Sequence, residues 1–315
     1  MIEYNRVELG KAAKERGFVR DTFEKVLRLK EILRYFNEDK YLKEHLVLKG
    51  GTAINMTIFN LPRLSVDIDM DFTPNYSKAD TEVNRKEITE RLQRYMQEEG
   101  YHLSESSRYS HSLDSFLFQY QNAGGNRDNI KVEINYSLRS HIFAPVERKI
   151  VTDAFDDSME IRTLEPMEIF AAKVNALMSR AAARDLYDNN MLFYGLFDES
   201  EYELFRKCII FYASISAEII NKTFDTSAID RLDFLKIRRD LFPVLRKKDN
   251  FNLEERKVAA KKFIAELMIL TPQEEEYLNA FEGKEYKPEL LFSDEKILTN
   301  IKNHPMAIWK MEQRS

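Results

Sequence analysis

Residues 46–72 read LVLKGGTAINMTIFNLPRLSVDIDMDF, and the rest of the chain is organised around them. The apolar run Leu46 to Leu48 predicts a short buried strand that leads into Lys49-Gly50-Gly51-Thr52. A helix-like stretch follows, and then a second apolar strand carries Asp67, Asp69 and Asp71. Side chains on a strand alternate faces with period two, so the three aspartates share one face while Val66, Ile68, Met70 and Phe72 take the other. Three carboxylates on one face of an apolar strand repel one another, and burying ionised groups unpaired is costly. Magnesium offers the simplest relief, because it takes oxygen ligands and is often held by one or two carboxylates plus substrate phosphates.

The glycines supply the other half. Gly50 and Gly51 allow close approach of backbone to a ligand, and Thr52 is an acceptable helix N-cap. The first turn of the helix after them would offer free N–H groups and the positive end of a dipole to a phosphate. Lys49 and Arg63 are nearby positive charges. Each half alone has a plainer reading, an ordinary strand-to-helix turn for the glycines and a solvated edge strand for Asp-Ile-Asp. Together, in this order, they describe a nucleotide-handling site.

The pairing resembles the polymerase-beta-like nucleotidyltransferase superfamily, whose signature is Gly-Gly or Gly-Ser, a helix, then Asp-x-Asp on a strand. KGGTAIN and RLSVDIDMDF resemble one branch of it, the AbiEii/AbiGii toxin family. Fourteen residues separate Thr52 from Asp67, a longer gap than many superfamily members show but one that suits this branch. The resemblance implies an α+β fold, with a mixed sheet flanked by helices as the nucleotidyltransferase core and a C-terminal helical domain. Residues 1–160 would form the core with its N-terminal helices, and residues 161–315 a helical domain contributing lysine and aspartate to the site. It also implies that Asp67 and Asp69 ligate magnesium, with two ions expected. The phosphates of a nucleoside triphosphate would rest on Gly50, Gly51 and Thr52, with Lys49, Arg63 and Ser65 beside them.

Composition sets the outer limits. The chain has 315 residues, enough for one large domain or two modest ones, and 43% hydrophobic with 32% charged residues fits a globular protein. A net charge of −5 argues against bulk attraction to nucleic acid, so an RNA contact needs a local basic patch. Cys208 is the single cysteine, which leaves no intrachain disulfide and suits a reducing compartment. The five histidines lack zinc-ligand spacing. The first twenty-five residues are too rich in Lys, Arg and Glu for a signal peptide, and Cys208 to Ala217, an uncharged and strongly apolar stretch, is too short for a membrane span. The expectation is a cytoplasmic protein with no membrane association.

Along the chain, residues 8 to 37 read as a packing helix, with Val19, Phe23, Val26, Leu27 and Leu33 near helical spacing. Lys86 to Glu99 reads as an amphipathic helix ended by Gly100. Ser115 to Tyr120 reads as a strand, Asn122 to Asn126 as a hairpin turn, and KVEINYSL as a second strand with Glu133 on its polar face. The superfamily resemblance nominates Glu133 as the third carboxylate, orienting metal and attacking hydroxyl, and a solvent-facing edge residue is the alternative. One or two further strands are expected within Arg139 to Arg162, and Pro166 opens a helix.

IFAAKVNALMSRAAARDLYD, from Ile169 to Asp188, is the second informative stretch. If it is helical throughout, Lys173, Arg180 and Arg184 fall near one face, with Asp185 and Asp188 rotated from it. A cationic stripe ending in carboxylates suits a triphosphate, and a solvated face with pairs such as Arg184 and Asp188 is the bland alternative. The toxin family carries a Lys followed by Arg-Asp-x-x-Asp here, which Lys173, Arg184, Asp185 and Asp188 match. That resemblance implies that Lys173 contacts nucleotide phosphate and that Asp185 serves activity or the cation network. Leu204 to Ile220 reads as core. Lys236 to Lys262 is the densest basic region, either a solvated helix face or a track for an RNA backbone. NHPMAIWK resembles the family's closing motif, with Trp309 read as packing.

The reading is a magnesium-dependent nucleotidyltransferase that moves NMP from an NTP to an acceptor and releases pyrophosphate. The family resemblance makes it the toxin of a toxin–antitoxin or abortive-infection pair, with a tRNA 3′ end as the first choice of acceptor and an antitoxin as partner. A kinase-like phosphotransferase and a nucleotide-binding module without turnover are the competing classes.

Overall fold

The alternation that puts aspartates on one side of residues 67–72 places them in the middle of a sheet. A computed structural model describes residues 3–151, 159–216 and 222–313. Among these, eight strands form one mixed sheet: β1 (Leu46–Lys49), β2 (Asp67–Phe72), β3 (His102–Leu103), β4 (Arg108–Tyr109), β5 (Leu113–Gln121), β6 (Arg127–Asn135), β7 (Val146–Lys149) and β8 (Glu160–Thr163). The order is β3-β5-β6-β2-β1-β8-β7, with β4 also on β5. β2 runs antiparallel to β1 and parallel to β6, and β1 runs parallel to β8. Ile68, Met70 and Phe72 on β2, with Phe116 and Phe118 on β5 and Val132 and Ile134 on β6, are buried on the face away from the aspartates. The hairpin joining β5 to β6 turns where Asn122 to Asn126 lies, with Gly125 at φ 83° and Asn122 Oδ1 accepting from the Gly124 and Asn126 amides.

The chain divides into two compact units. The first comprises Met1–Arg139, Pro145–Leu164 and Pro243–Asp249, and the second Ser140–Ala144, Glu165–Phe242 and Asn250–Ser315. The first contains the sheet with helices α1 (Arg6–Arg16), α2 (Arg20–Glu38), α3 (Lys40–His45), α4 (Gly50–Ala53) and α5 (Lys78–Glu98). The single helix expected over residues 8–37 is two helices. Gly17, at φ 80°, takes the left-handed conformation that ends α1, and Val19 becomes the partly exposed N-cap of α2. α5 begins two turns before Lys86, because Ser77 accepts from the Asp80 amide and caps it there. It ends where Gly100 predicted.

The second unit holds α6 (Pro166–Arg180), α7 (Ala183–Asn190), α8 (Tyr202–Ser216), α9 (Phe234–Asp240), α10 (Leu253–Leu267), α11 (Pro272–Glu282), α12 (Glu295–Ile301) and α13 (Pro305–Glu312). Phe170, Val174 and Leu177 of α6 and Phe205, Ile209 and Phe211 of α8 are buried in its core. Residues 217–220 of the apolar stretch read as core, and residues 152–158 of the stretch expected to carry strands, lie outside the described residues. Glu168, fully buried, accepts from the Ile142 amide at 2.7 Å, from the Phe143 amide at 3.3 Å and from the Tyr212 hydroxyl, which ties segment 140–144 to α6 and α8. Trp309 is not packed away as expected. It is 49% exposed on α13.

Candidate active site

The glycine turn and the acidic strand meet at one point in the first unit. Gly50 has φ +69°, and a Cβ added to it would lie 2.7 Å from Asp69 Oδ2. Both the backbone angle and the close carboxylate exclude a side chain there. At Gly51 an added Cβ would stand 2.7 Å from Arg63 Nη2 and 3.0 Å from Ser65 Oγ. Arg63 is 1% exposed and donates to the Leu64 carbonyl at 2.9 Å. Arg63 and Ser65, expected beside the nucleotide phosphates, are both buried and packed against Gly51.

Thr52 also differs from expectation. Lys49 occupies the N-cap position, and Thr52 lies inside the helical turn, fully buried, its hydroxyl donating to the Asp67 carbonyl. That bond fastens the helix to the start of β2. α4 passes into a π-helical turn at Ile54–Ile58, a geometry found disproportionately at functional sites. Asn55 steadies it, donating to the Gly51 carbonyl at 2.7 Å and accepting from the Arg63 amide. Asn55 was not singled out from the sequence, though a polar residue inside an otherwise apolar run was the available signal.

Across the sheet the register aligns Lys49 with Asp69, Asp69 with Glu133, Glu133 with Ser115 and Ser115 with Arg108. Cross-strand partners share a face, so this row crosses five strands on the aspartate side. Asp67 and Asp69 are partly exposed, whereas Asp71 is 1% exposed and pairs with the Lys49 ammonium. Burial pushes the Asp71 carboxyl up to about 6, opposed by Lys49 and assisted by the Asp69 charge. Lys49, 24% exposed at its side chain, is thus the counter-ion of the innermost aspartate. Glu133 is partly exposed and pairs with Lys131 Nζ at 2.8 Å.

Among the described residues no three His, Cys, Asp or Glu side chains are gathered closely enough to hold a metal ion. The expected set of Asp67, Asp69 and Glu133 is therefore not preassembled. Two partly exposed carboxylates on one strand face still fit magnesium, which keeps several waters and fills other positions with substrate phosphate oxygens. The oxygen-only donors Asp67 and Asp69 meet that requirement, and Glu133 is the next carboxylate along the row.

In the second unit the stretch from Ile169 to Asp188 is not one helix. Ala181, at φ 47° and ψ 61°, is left-handed and ends α6, Ala182 is extended, and α7 starts at Ala183. The expected cationic stripe is broken. Instead Lys173 Nζ lies 3.0 Å from Asp185 Oδ1 and 3.0 Å from Asp188 Oδ2, while Arg180 Nε lies 2.8 Å from Asp185 Oδ2. Burial of Asp185 works to raise its pKa, but Lys173 and Arg180 together outweigh that and hold it below the usual value. Asn189 donates to the Lys173 and Asp185 carbonyls, locking α7 onto α6. Arg184 donates to the Asp240 carbonyl at 3.0 Å.

Comparisons with known proteins bear on the family and the fold. The profile of the family described as "Nucleotidyl transferase AbiEii toxin, Type IV TA system" matches residues 31–283. The chain belongs to the AbiEii nucleotidyltransferase toxin family. It is accordingly a nucleotidyltransferase, and membership implies an NTP substrate, a divalent cation and an antitoxin partner. Among solved structures the chain is similar in fold to MenT4, a nucleotidyltransferase toxin from Mycobacterium tuberculosis H37Rv. The TM-score is 0.62 at 16% identity, over 97% of this chain and 99% of that one. No curated protein matches the chain. Among the described residues no helix is long and apolar enough to cross a membrane.

The basic region from Lys236 to Lys262 uses several of its cations locally. Lys257 pairs with Glu254 at 3.0 Å, Lys261 with Asp230 at 2.8 Å and Arg239 with Asp240 at 2.6 Å. Arg246 donates to the Asn60 and Leu61 carbonyls within the first unit.

Proposed function

We propose that this AbiEii-family enzyme acts in the cytoplasm and transfers NMP from an NTP to the 3′ end of an RNA, with tRNA as the first candidate. Magnesium held by Asp67 and Asp69 is the proposed cation, with two ions expected, and when bound it would offset phosphate charge on the acceptor and leaving-group oxygens. The observation that supports this reading is the packing of the Asp69 carboxylate against Gly50, where an added Cβ would stand 2.7 Å from Oδ2, so the glycine turn lies beside the carboxylates proposed to hold the cation. The acceptor hydroxyl oxygen attacks the α-phosphorus, the bond from the α-phosphorus to the bridging oxygen breaks, and pyrophosphate leaves. The hydroxyl proton passes to a carboxylate on the strand face, with Glu133 proposed for that role. Gly50 and Gly51 hold the phosphates through backbone N–H groups, so most of the rate gain comes from positioning and electrostatics. Lys173 is proposed to serve the nucleotide phosphates, with Asp185 and Asp188 fixing its ammonium. Arg184 is proposed to lend charge to nucleotide binding.

Incubating the protein with total RNA and either α-labelled or γ-labelled NTP, with and without magnesium, tests the reaction class. Magnesium-dependent label from the α-position on a small RNA is the expected result. Label from the γ-position would show a kinase-like transfer, and NTP binding without label on any acceptor would show a binding module.

A further inference from the structure

The row of residues across the sheet continues past Glu133. Ser115 lies opposite Glu133 and Arg108 opposite Ser115, so Arg108 sits on the same face as Asp69, three strands away. At about 4.8 Å per strand that is roughly 14 Å. A groove of about 890 Å³ opens here, with Ser106, Arg108, Ser110, Ser115, Lys131 and Glu133 among its walls. Lys131 is paired with Glu133, whereas Arg108 is exposed and makes no ion pair among the described residues. The wall that carries Arg108 is held firmly. Arg85 of α5 bonds Asp114 Oδ2 at 2.9 Å and the Ser110 and His111 carbonyls at 2.7 and 3.1 Å, fixing the turn between β4 and β5.

We infer that this groove receives the acceptor RNA strand, with Arg108 binding a backbone phosphate upstream of the reacting hydroxyl. The inference rests on the nucleotidyl-transfer reading above and adds where the acceptor lies. An acceptor must reach the α-phosphate from the side of the row that the glycine turn leaves open. The glycine turn flanks Asp69 on the β1 side, and Glu133 flanks it on the β6 side. A strand arriving from β5 presents its hydroxyl beside Glu133 and its next phosphates beside Arg108, whose planar fork suits phosphate oxygens. The serine hydroxyls can bond ribose and phosphate without reading sequence.

The test uses full-length Arg108→Ala and Arg108→Lys, both at an exposed position. Two readouts are needed: steady-state transfer to total tRNA, and fluorescence anisotropy with a labelled RNA hairpin ending in a single-stranded 3′ tail. Arg108→Ala is expected to weaken RNA binding and raise the KM for RNA about tenfold, with the KM for NTP unchanged. It should also reduce the slope of log affinity against log salt by about 0.7, the value for one lost phosphate contact on a single strand. Arg108→Lys is expected to restore most of both. An unchanged RNA affinity and salt slope would overturn the inference. So would a raised KM for NTP alone, which would place Arg108 on the triphosphate, or competition by poly-glutamate as effective as by RNA, which would make the groove a peptide site. The anisotropy arm decides the groove even if no transfer to RNA is seen, and failure of transfer would count separately against the proposed reaction.

Discussion

At the scale of single residues, Gly50 and Asp185 show how differently a small change can act. Gly50 is required twice over, by its positive φ and by the carboxylate 2.7 Å from where a Cβ would stand. Gly50→Ala should displace Asp69 by a fraction of its own size, and misplacement of about 1 Å costs about a hundredfold in rate. Transfer should fall by about that factor while the circular dichroism spectrum is kept. Near wild-type activity would show that the turn does not position Asp69. Asp185 is buried in an ion-pair cluster with Lys173 and Arg180. Asp185→Asn takes a charged partner from Lys173 at 3.0 Å and Arg180 at 2.8 Å while Lys173 keeps Asp188, and it should lower the unfolding free energy by about 2 kcal/mol at neutral pH. The sign with pH follows from its depressed pKa. The native carboxyl titrates below the unfolded value of 3.8, so its stabilisation is complete above 3.8 and is lost as pH falls through the lower native value. Urea unfolding at a series of pH values should show wild type and variant converging only in that acid range.

At the scale of elements, the joint at Ala181 is the informative one. A non-glycine residue in the left-handed region carries a cost of about 1 kcal/mol or more. Ala181→Gly should therefore raise stability by up to about 1 kcal/mol, with thermal unfolding as the readout, and a clear loss would show that alanine's methyl contributes more than the strain it bears. This joint also marks what the amino-acid order could and could not convey. Alternation in DIDMDF, the NAGGN turn and Pro166 each impose a local backbone choice, so β2, the β5–β6 hairpin and the start of α6 were legible. Three consecutive alanines impose none, and the break that turns Asp185 and Asp188 toward Lys173 depends on the ion pairs it creates. The split between α1 and α2 was signalled by Gly17 and was overridden by the apolar spacing around it.

At the scale of the whole molecule, the glycine turn and the Asp-x-Asp strand announce the enzyme class, but the division of labour among charges waits on the sheet order. Nothing in the chain order says that Lys49 will neutralise Asp71, that Arg63 will be buried under Gly51, or that Arg108 will share a face with Asp69. The first and last follow from strand pairing between segments remote in sequence, and the second from the packing of Arg63 against Gly51. The central claim is that Asp69, set against the Gly50 turn, holds the cation on which transfer depends. The most direct test is magnesium-dependent labelling of RNA by each α-labelled NTP, comparing wild type with Asp69→Ala and confirming the fold of both by circular dichroism. Labelling of a small RNA by wild type that disappears in Asp69→Ala is the result expected, and labelling that persists in the variant would contradict the assignment.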